Sequence, residues 1–390
     1  MIKLIKNGTL FGPEPLGKKD ILIADGRIAK IADCIELTAS DFIEIIDASE
    51  KLVIPGLIDN HVHLLGGGGE GGYKTRTPEL IYSDLVKGGI TTVVGCIGTD
   101  GITRQMTSLI AKARGLTEEG ITAFIYTGSY RIPVAGLTES IQKDIMMIPE
   151  IIGVGEVAIS DHRSSSPTHD ELARVASDAR VGGILSGKAG IVNFHLGDGK
   201  EGLQPLIQLV ERTELPKTQF LPTHANRNGT LFQQAIAYAK EGGFIDFTTS
   251  TVPKFIEEGE VPAGQAYVEC INTGVDASQI TFSSDGQGSL PNFDKEGKLI
   301  GLDVGRVTSL FDAFKNLVME HGLTINKALM PITKNPAGLL KLKGKGIINE
   351  GFDADLLILD QHQFEIHSVL AMGQWLMKDK QIVKKGTFEI

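Results

Sequence analysis

The chain has 390 residues, a formal net charge of −10, 42% hydrophobic and 22% charged residues. That length asks for one large domain and a smaller one, with the proportions of an ordinary soluble globular protein. The acidic balance speaks against a nucleic-acid or anionic-membrane partner, because no basic excess is present to neutralise phosphates.

Residues 1–52 carry the short runs "MIKLIKNG", "DILIADGRIAKIADC" and "FIEIIDASEKLVI". Period-two alternation broken by Gly and Asp reads as β-strands and hairpins. Residues 1–20 hold no apolar core of signal-peptide length, and no run reaches the ~18 apolar residues of a membrane span. Residues 345–390 repeat the pattern in "DADLLILD" and "SVLAMGQWLMKDKQIVKKG". Neither flank can build a core alone. One small β-sandwich domain from both termini is therefore expected, around a large domain over residues 53–344.

The middle alternates helical and strand periods. After "LVIPGLIDNHVH", "PELIYSDLVKGG" is helical and "ITTVVGCIGT" is a β-branched strand. The same switch recurs before "ITAFIYTGSY", "IPEIIGVGEVAIS", "AGIVNFHLGD", "KTQFLPTHANR", "FIDFTTST" and "SQITFSSDGQG". Eight strands in such a length point to an α/β fold of the (β/α)8 TIM-barrel type, with an open doubly wound sheet as the alternative. Polar residues at nearly every strand end favour the barrel, whose sites form at the C-terminal strand ends.

Strand 1 ends in His61 and His63, strand 2 in Thr99 and Asp100, and strand 3 in Tyr130. Strand 4 carries Glu156 and is followed by Asp161, His162 and Arg163. Strand 5 ends in His195, strand 6 in His224 with Arg227 behind it, and strand 8 in Asp285. Residues i and i+2 of a strand point the same way, so His61 and His63 present two imidazoles to one face. Two imidazoles with a carboxylate suit Zn²⁺ or a similar divalent ion. An HxH pair alone is as readily two hydrogen-bonded histidines at a loop edge. His195, His224 and Asp285 at further strand ends tip the balance to a metal. Glu156 is the only acid in its apolar run, where an unpaired charge is costly. His162, His169, His321, His362 and His367 fall off the strand ends and read as ordinary polar residues. Cys34, Cys96 and Cys270 are scattered and read as reduced thiols of a cytoplasmic protein.

This set, HxH on strand 1, an acid on strand 4, His on strands 5 and 6 and Asp on strand 8, is similar to that of the amidohydrolase superfamily. Within it, the chain resembles the isoaspartyl dipeptidase family nearly end to end, in "PGLIDNHVHLLGGGGEGG", "TRTPE", "GTDGITR", "TGSYRIP", "AISDHRSSSP", "HLGDG", "LPTHANRN" and "SSDGQGS". The resemblance implies metal-dependent hydrolysis of the isopeptide bond of β-aspartyl dipeptides, releasing aspartate and an amino acid. It implies that His61, His63 and Asp285 hold one metal and that His195 and His224 hold a second, both most simply Zn²⁺. Asp285 would also move the proton from attacking water to the leaving amine, and Tyr130 would donate to the oxyanion. Glu70 would bind the substrate ammonium. Arg163 and Arg227 would clamp carboxylates, with Thr99 and Ser289 hydrogen-bonding beside them. A homo-oligomer acting on a small dipeptide is expected, with no nucleic-acid or membrane partner. The rivals are an amidohydrolase of cyclic amides or N-acyl amino acids, which would not need Glu70 and both arginines, and a non-enzymatic assembly module of the same fold.

One position departs from the family pattern. The family places a carboxylated lysine on strand 4 to bridge both metals, whereas this chain has Glu156, counted back from "AISDHRS". A carboxylate offers the same charge and two oxygens without CO₂, but its reach is shorter by roughly 3–4 Å. The strand must move inward or the metals must sit nearer to it; otherwise the site holds one metal.

Overall fold

The computed structural model describes residues 1–293 and 299–389. Strands β1 (Ile2–Phe11), β2 (Pro15–Ala24), β3 (Arg27–Ala32), β4 (Ile43–Asp47) and β5 (Lys51–Pro55) open the chain. Eight parallel strands follow: β6 (Leu57–Val62), β7 (Ile90–Gly95), β8 (Thr122–Thr127), β9 (Ile151–Ile159), β10 (Ile191–Leu196), β11 (Phe220–Thr223), β12 (Ile245–Thr248) and β13 (Ile280–Ser283). A hairpin, β14 (Ser289–Phe293) with β15 (Leu299–Val304), comes next. The chain closes with β16 (Leu356–Asp360), β17 (Ile366–Ala371), β18 (Gln374–Lys378) and β19 (Gln381–Ile382).

Strands β6 to β11 form one parallel sheet in sequence order, and β12 pairs with β13 in parallel. The order comes back on itself through a parallel bridge between Val62 and Gly286, where His63 N–H donates to Gly286 O at 2.9 Å. The result is a barrel-like α/β architecture with helices between successive strands. Strands β6, β7 and β10 are buried along their whole length. Parallel strands covered on both sides lose the hydrophobic-polar alternation of a half-exposed sheet. Neighbouring residues still part company: Val93 packs with outer-helix residues such as Leu109 and Leu116, while Val94 packs with Ile58, Tyr126 and Leu340. The outer helices stop and start where their sequences dictate. Thr168 and Glu171 form a capping box for the helix His169–Ser186, and Gly187, at φ +71°, ends it.

The two chain ends meet where β5 pairs with β16. They share a nine-stranded sheet in the order β19-β18-β17-β16-β5-β1-β2-β3, with β4 also on β1. Its apolar cluster draws on Ile5, Ile23 and Val53 from one end and Leu356, Ile358 and Leu370 from the other. No helix among the described residues is long and apolar enough to cross a membrane. The hairpin β14/β15 has no counterpart in the periodicity of the sequence. It rises directly after Asp285 and begins with Ser289, which it sets over the mouth of the ring.

Candidate active site

The strand ends bring the histidines to one point. His61 Nε2 lies 3.3 Å from Glu156 Oε2, and His63 Nε2 lies 3.3 Å from Glu156 Oε1. His195 Nδ1 is 3.1 Å from Glu156 Oε2, and His224 Nε2 is 3.8 Å from the same oxygen. Asp285 Oδ1 stands 3.1 Å from His63 Nε2 and 3.7 Å from His61 Nε2. Two of these residues hold a left-handed backbone, His224 at φ +60° and Asp285 at φ +51°. Such a conformation costs about 1–3 kcal/mol in a non-glycine residue and persists where surrounding structure imposes it.

Glu156 reaches the centre because strand β9 is bulged at that residue. Across the ladder Val192 faces Val154 and Phe194 faces Val157, so Gly155 and Glu156 together oppose the single residue Asn193. An extra residue in one strand bends it and re-aims its side chain. A bulge is one way for a strand to bring a short carboxylate to the imidazoles.

Each of three imidazoles is oriented by an outer partner. His61 Nδ1 is 3.0 Å from Asn193 Oδ1, His224 Nδ1 is 2.6 Å from Thr248 Oγ1, and His195 Nε2 is 3.1 Å from Asp161 Oδ2. A proton on the outer nitrogen leaves the inner lone pair facing Glu156, the arrangement metal-binding imidazoles need. Among these inner contacts that of His195 with Glu156 Oε2 has hydrogen-bond geometry, whereas Glu156 Oε1 and Asp285 Oδ1 are buried with no hydrogen-bond partner. Lone pairs and carboxylate oxygens converging at 3.1–3.8 Å fit ligands around a shared cation better than donors facing acceptors. Three overlapping sets have ligand atoms within 4.8 Å of one another: His61, His63, Cys96 and Glu156; Glu156, His195 and His224; and His61, His224 and Asp285.

The charges respond accordingly. Burial opposes charge on Glu156, yet His61, His195 and His224 hold its carboxyl well below the usual range. Burial also opposes charge on His61, but the Cys96 and Glu156 charges hold it well above the ordinary imidazole value. Burial wins at His224 and takes it down to about 3, while at Asp285 the neighbouring His63 imidazole, 3.1 Å away, outweighs burial and keeps it at about 2. The cluster thus keeps its carboxylates ionised, with His61 and His63 drawn toward the protonated form and His224 kept neutral.

Above it opens a cavity of about 440 Å³, lined by His63, Glu70, Thr99, Tyr130, Arg163, His195, His224, Arg227, Asp285 and Ser289. His61 and Glu156 do not line it and lie fully buried beside His63, His195 and Asp285. Tyr130 Oη is 2.8 Å from His195 Nδ1. Arg163 grips Asp161 with both Nη2 (2.7 Å) and Nε (2.9 Å) and donates from Nη1 to Glu70 Oε1 at 3.0 Å. Ser289 Oγ donates to Glu70 Oε2 at 3.2 Å. Arg227 has a loose partner in Asp198 at 3.8 Å, and its Nε–H is buried without an acceptor. The glycine run supplies more than open space. Gly66 and Gly68 have φ of +77° and +68°, and a Cβ on either would fall within 2.7 Å of the Thr77 or Thr75 carbonyl.

Several residues of the site carried no assignment in the sequence. Asp161 joins Arg163 to His195, and the only signal for it is an acid two residues before an arginine. Asn193 and Thr248 are polar residues inside apolar strands, and their spacing from a site histidine marks them only in retrospect. Arg104, 4% exposed, pins the glycine loop by donating to the carbonyls of Leu65 (3.0 Å) and Gly67 (2.7 Å). His162 lies on the surface and His169 pairs with Asp170, both away from the cluster.

Residues 261–376 match the model of the amidohydrolase family. The fold superposes with a TM-score of 0.92 on a crystal structure of β-aspartyl dipeptidase from Fervidobacterium islandicum AW-1 in complex with β-Asp-Leu, at 48% identity over 100% of both chains. A second structure of β-aspartyl dipeptidase from that organism gives 46% identity, a TM-score of 0.90 and the same coverage. A dihydroorotase from Lactobacillus johnsonii is 24% identical over 94% of this chain and 91% of its own length.

Proposed function

The chain belongs to the β-aspartyl dipeptidases of the amidohydrolase family, and from that premise we propose that it hydrolyses the isopeptide bond of β-aspartyl dipeptides to aspartate and a free amino acid. The observation that carries the reading is the Glu70–Arg163 pair over the imidazole cluster. A β-aspartyl dipeptide brings one ammonium and two carboxylates. Glu70 takes the ammonium, while Arg163 and Arg227 take carboxylates, for which guanidinium forks are well shaped. Before substrate enters, Glu70 and Arg163 neutralise each other. A zwitterion can exchange for that pair without leaving either charge bare, whereas a cyclic amide offers neither partner.

Two divalent ions, Zn²⁺ by preference, would complete the centre: His61, His63 and Asp285 would hold one, His195 and His224 the other, and Glu156, common to two of the ligand sets, would serve both. When bound, such ions polarise the scissile carbonyl and lower the pKa of water toward about 7. The chain's own groups do the rest. Asp285 Oδ1, ionised and without a donor, takes the proton of the attacking water and passes it to the leaving amine. Burial and the Glu156 charge raise Tyr130 well above its usual value, so its hydroxyl stays a donor for the carbonyl oxygen as charge develops there. Thr99 and Ser289 hydrogen-bond to the substrate beside these groups.

The architecture reads as a (β/α)8 barrel over residues 53–344, with residues 1–52 and 345–390 as a small β-sandwich. Support for the sandwich is the fork at β1, which pairs with β4 along residues 2–6 and with β5 at Thr9 and Leu10. Three unpaired cysteines favour a cytoplasmic setting, and the exposed Ile184 and Leu185 favour a homo-oligomer. The test of function is release of aspartate by the purified protein from β-Asp-Leu but not from α-Asp-Leu. No release from the β-linked peptide by fully metallated protein rejects the proposal.

A further inference from the structure

Cys96 lies just past β7, 1% exposed, on the cluster side of the ring. Its Sγ is 3.5 Å from His61 Nε2 and 3.8 Å from His63 Nδ1. Two donors on one tetrahedral Zn²⁺ must stand a fixed distance apart. Bond lengths of about 2.3 Å to sulfur and about 2.05 Å to nitrogen or oxygen place S and N about 3.5–3.6 Å apart, and N and O about 3.3 Å apart. The spacing of Cys96 Sγ from His61 Nε2 is 3.5 Å, and that of His61 Nε2 from Glu156 Oε2 is 3.3 Å. A second observation points the same way. Glu156 is fully buried, its Oε1 has no hydrogen-bond donor, and it faces the same point.

We propose that Cys96 is itself a ligand of the metal held by His61, His63 and Glu156, in the fourth place that Asp285 is given above, so that this half of the centre carries a thiolate and Asp285 is left to move the proton. The inference rests on the metal-dependent reading above and adds to it a donor that the strand-end pattern does not contain. The thiol releases its proton to solvent as the bond forms. A soft sulfur donor on one side of a shared carboxylate makes the two halves unequal. The half at His61 and His63 takes Zn²⁺, Co²⁺ or Cd²⁺ in preference to Mn²⁺ or Mg²⁺, while the half at His195 and His224 has only nitrogen and oxygen donors. The competing arrangement is a protonated thiol that donates to His61 Nε2 and never touches the ion.

The experiment uses full-length protein stripped of metal and refilled with Co²⁺. A sulfur-to-cobalt charge-transfer band in the near ultraviolet is expected in the wild type. In Cys96→Ser it should disappear while the visible cobalt bands persist, and cobalt affinity should weaken by at least about tenfold, the lower end of what even outer partners of a metal cost. Cys270→Ser, which alters a buried cysteine in the helix Ala263–Asn272, should keep the band. Cobalt bound to the wild type with no such band, or a band that survives in Cys96→Ser, overturns the proposal. Failure of the wild type to bind cobalt at all overturns the metal reading with it. Absence of peptidase activity in a protein that shows the band rejects the substrate assignment and leaves the ligand intact.

Discussion

Glu156 on β9 and Asp246 on β12 are both fully buried inside the same ring, yet they are treated in opposite ways. Asp246 accepts from Asn60 (3.2 Å), Thr223 (2.7 Å), Thr281 (2.6 Å) and Ser283 (2.5 Å). Burial raises its carboxyl despite those bonds. Glu156 has no hydroxyl or amide donor, keeps one oxygen unpartnered, and is held ionised by imidazoles. Neutral donors around a buried acid satisfy it and tie strands together. Imidazoles converging on a buried acid hold it ionised and still leave one of its oxygens without a donor. The first arrangement belongs to a scaffold and the second to a ligand set, although burial alone does not separate them.

The largest effect should come from erasing the charge that distinguishes them. Glu156→Gln keeps the shape, and kcat/KM on β-Asp-Leu should fall by about 10³ or more, about 4 kcal/mol, with lower metal content by elemental analysis. Normal rate and metal content in that variant would put Glu156 in the same class as Asp246. The converse change is Asp246→Ala, which strips four buried donors of their acceptor. At about 1–3 kcal/mol for each donor left unpaired, urea unfolding should show a loss of at least about 4 kcal/mol. The folded fraction should keep its kcat/KM. Lost activity with unchanged stability would collapse the distinction from the other side.

Arg163 stands between the two classes, gripped by Asp161 and open to the cavity. Arg163→Lys keeps the charge and loses the fork, so kcat/KM should fall at least tenfold, about 1.4 kcal/mol. Wild-type kinetics with a lowered melting temperature would make it a structural ion pair only. The smallest effect belongs to Glu260, which lines the cavity and has a buried, unpartnered Oε1 but no imidazole beside it. Burial raises it from 4.5 to about 7, against the pull of Thr251 and Arg227. The folded state therefore binds this proton more tightly than the unfolded chain. Its contribution is full below pH 4.5 and lost as pH rises through about 7. Relative to Glu260→Gln, the wild type should lose melting temperature across that window. Parallel curves would show that Glu260 titrates normally.

The parts of this molecule legible in its sequence are those governed by period. Strand runs, helical runs and the terminal residue of each strand could be counted, and His61, His63, His195, His224 and Asp285 all lie where the count puts them. The positions of Glu70 and the two arginines came from resemblance rather than from period, and the cavity gathers them with the rest. What the count misses is whatever breaks it. The bulge at Gly155 and Glu156 adds a residue to "IIGVGEVAIS" that looks like more strand. The left-handed backbone at His224 and Asp285 leaves no trace in residue type. Asp161, Asn193 and Thr248 act through the residues they orient. Cys96 reads only as one of three reduced thiols, because sequence distance hides its place beside His61.

The bulge also bears on how the centre comes into being. A bridge made from carboxylated lysine waits on the arrival and capture of a dissolved gas, and its occupancy follows that gas and the pH. If Glu156 is the bridge, as proposed, the anion would be translated with the chain and set in place at a strand bulge. Maturation would then have two ingredients, folding and metal, and its rate would be set by the scarcer of them. A cell short of carbon dioxide could still finish every copy.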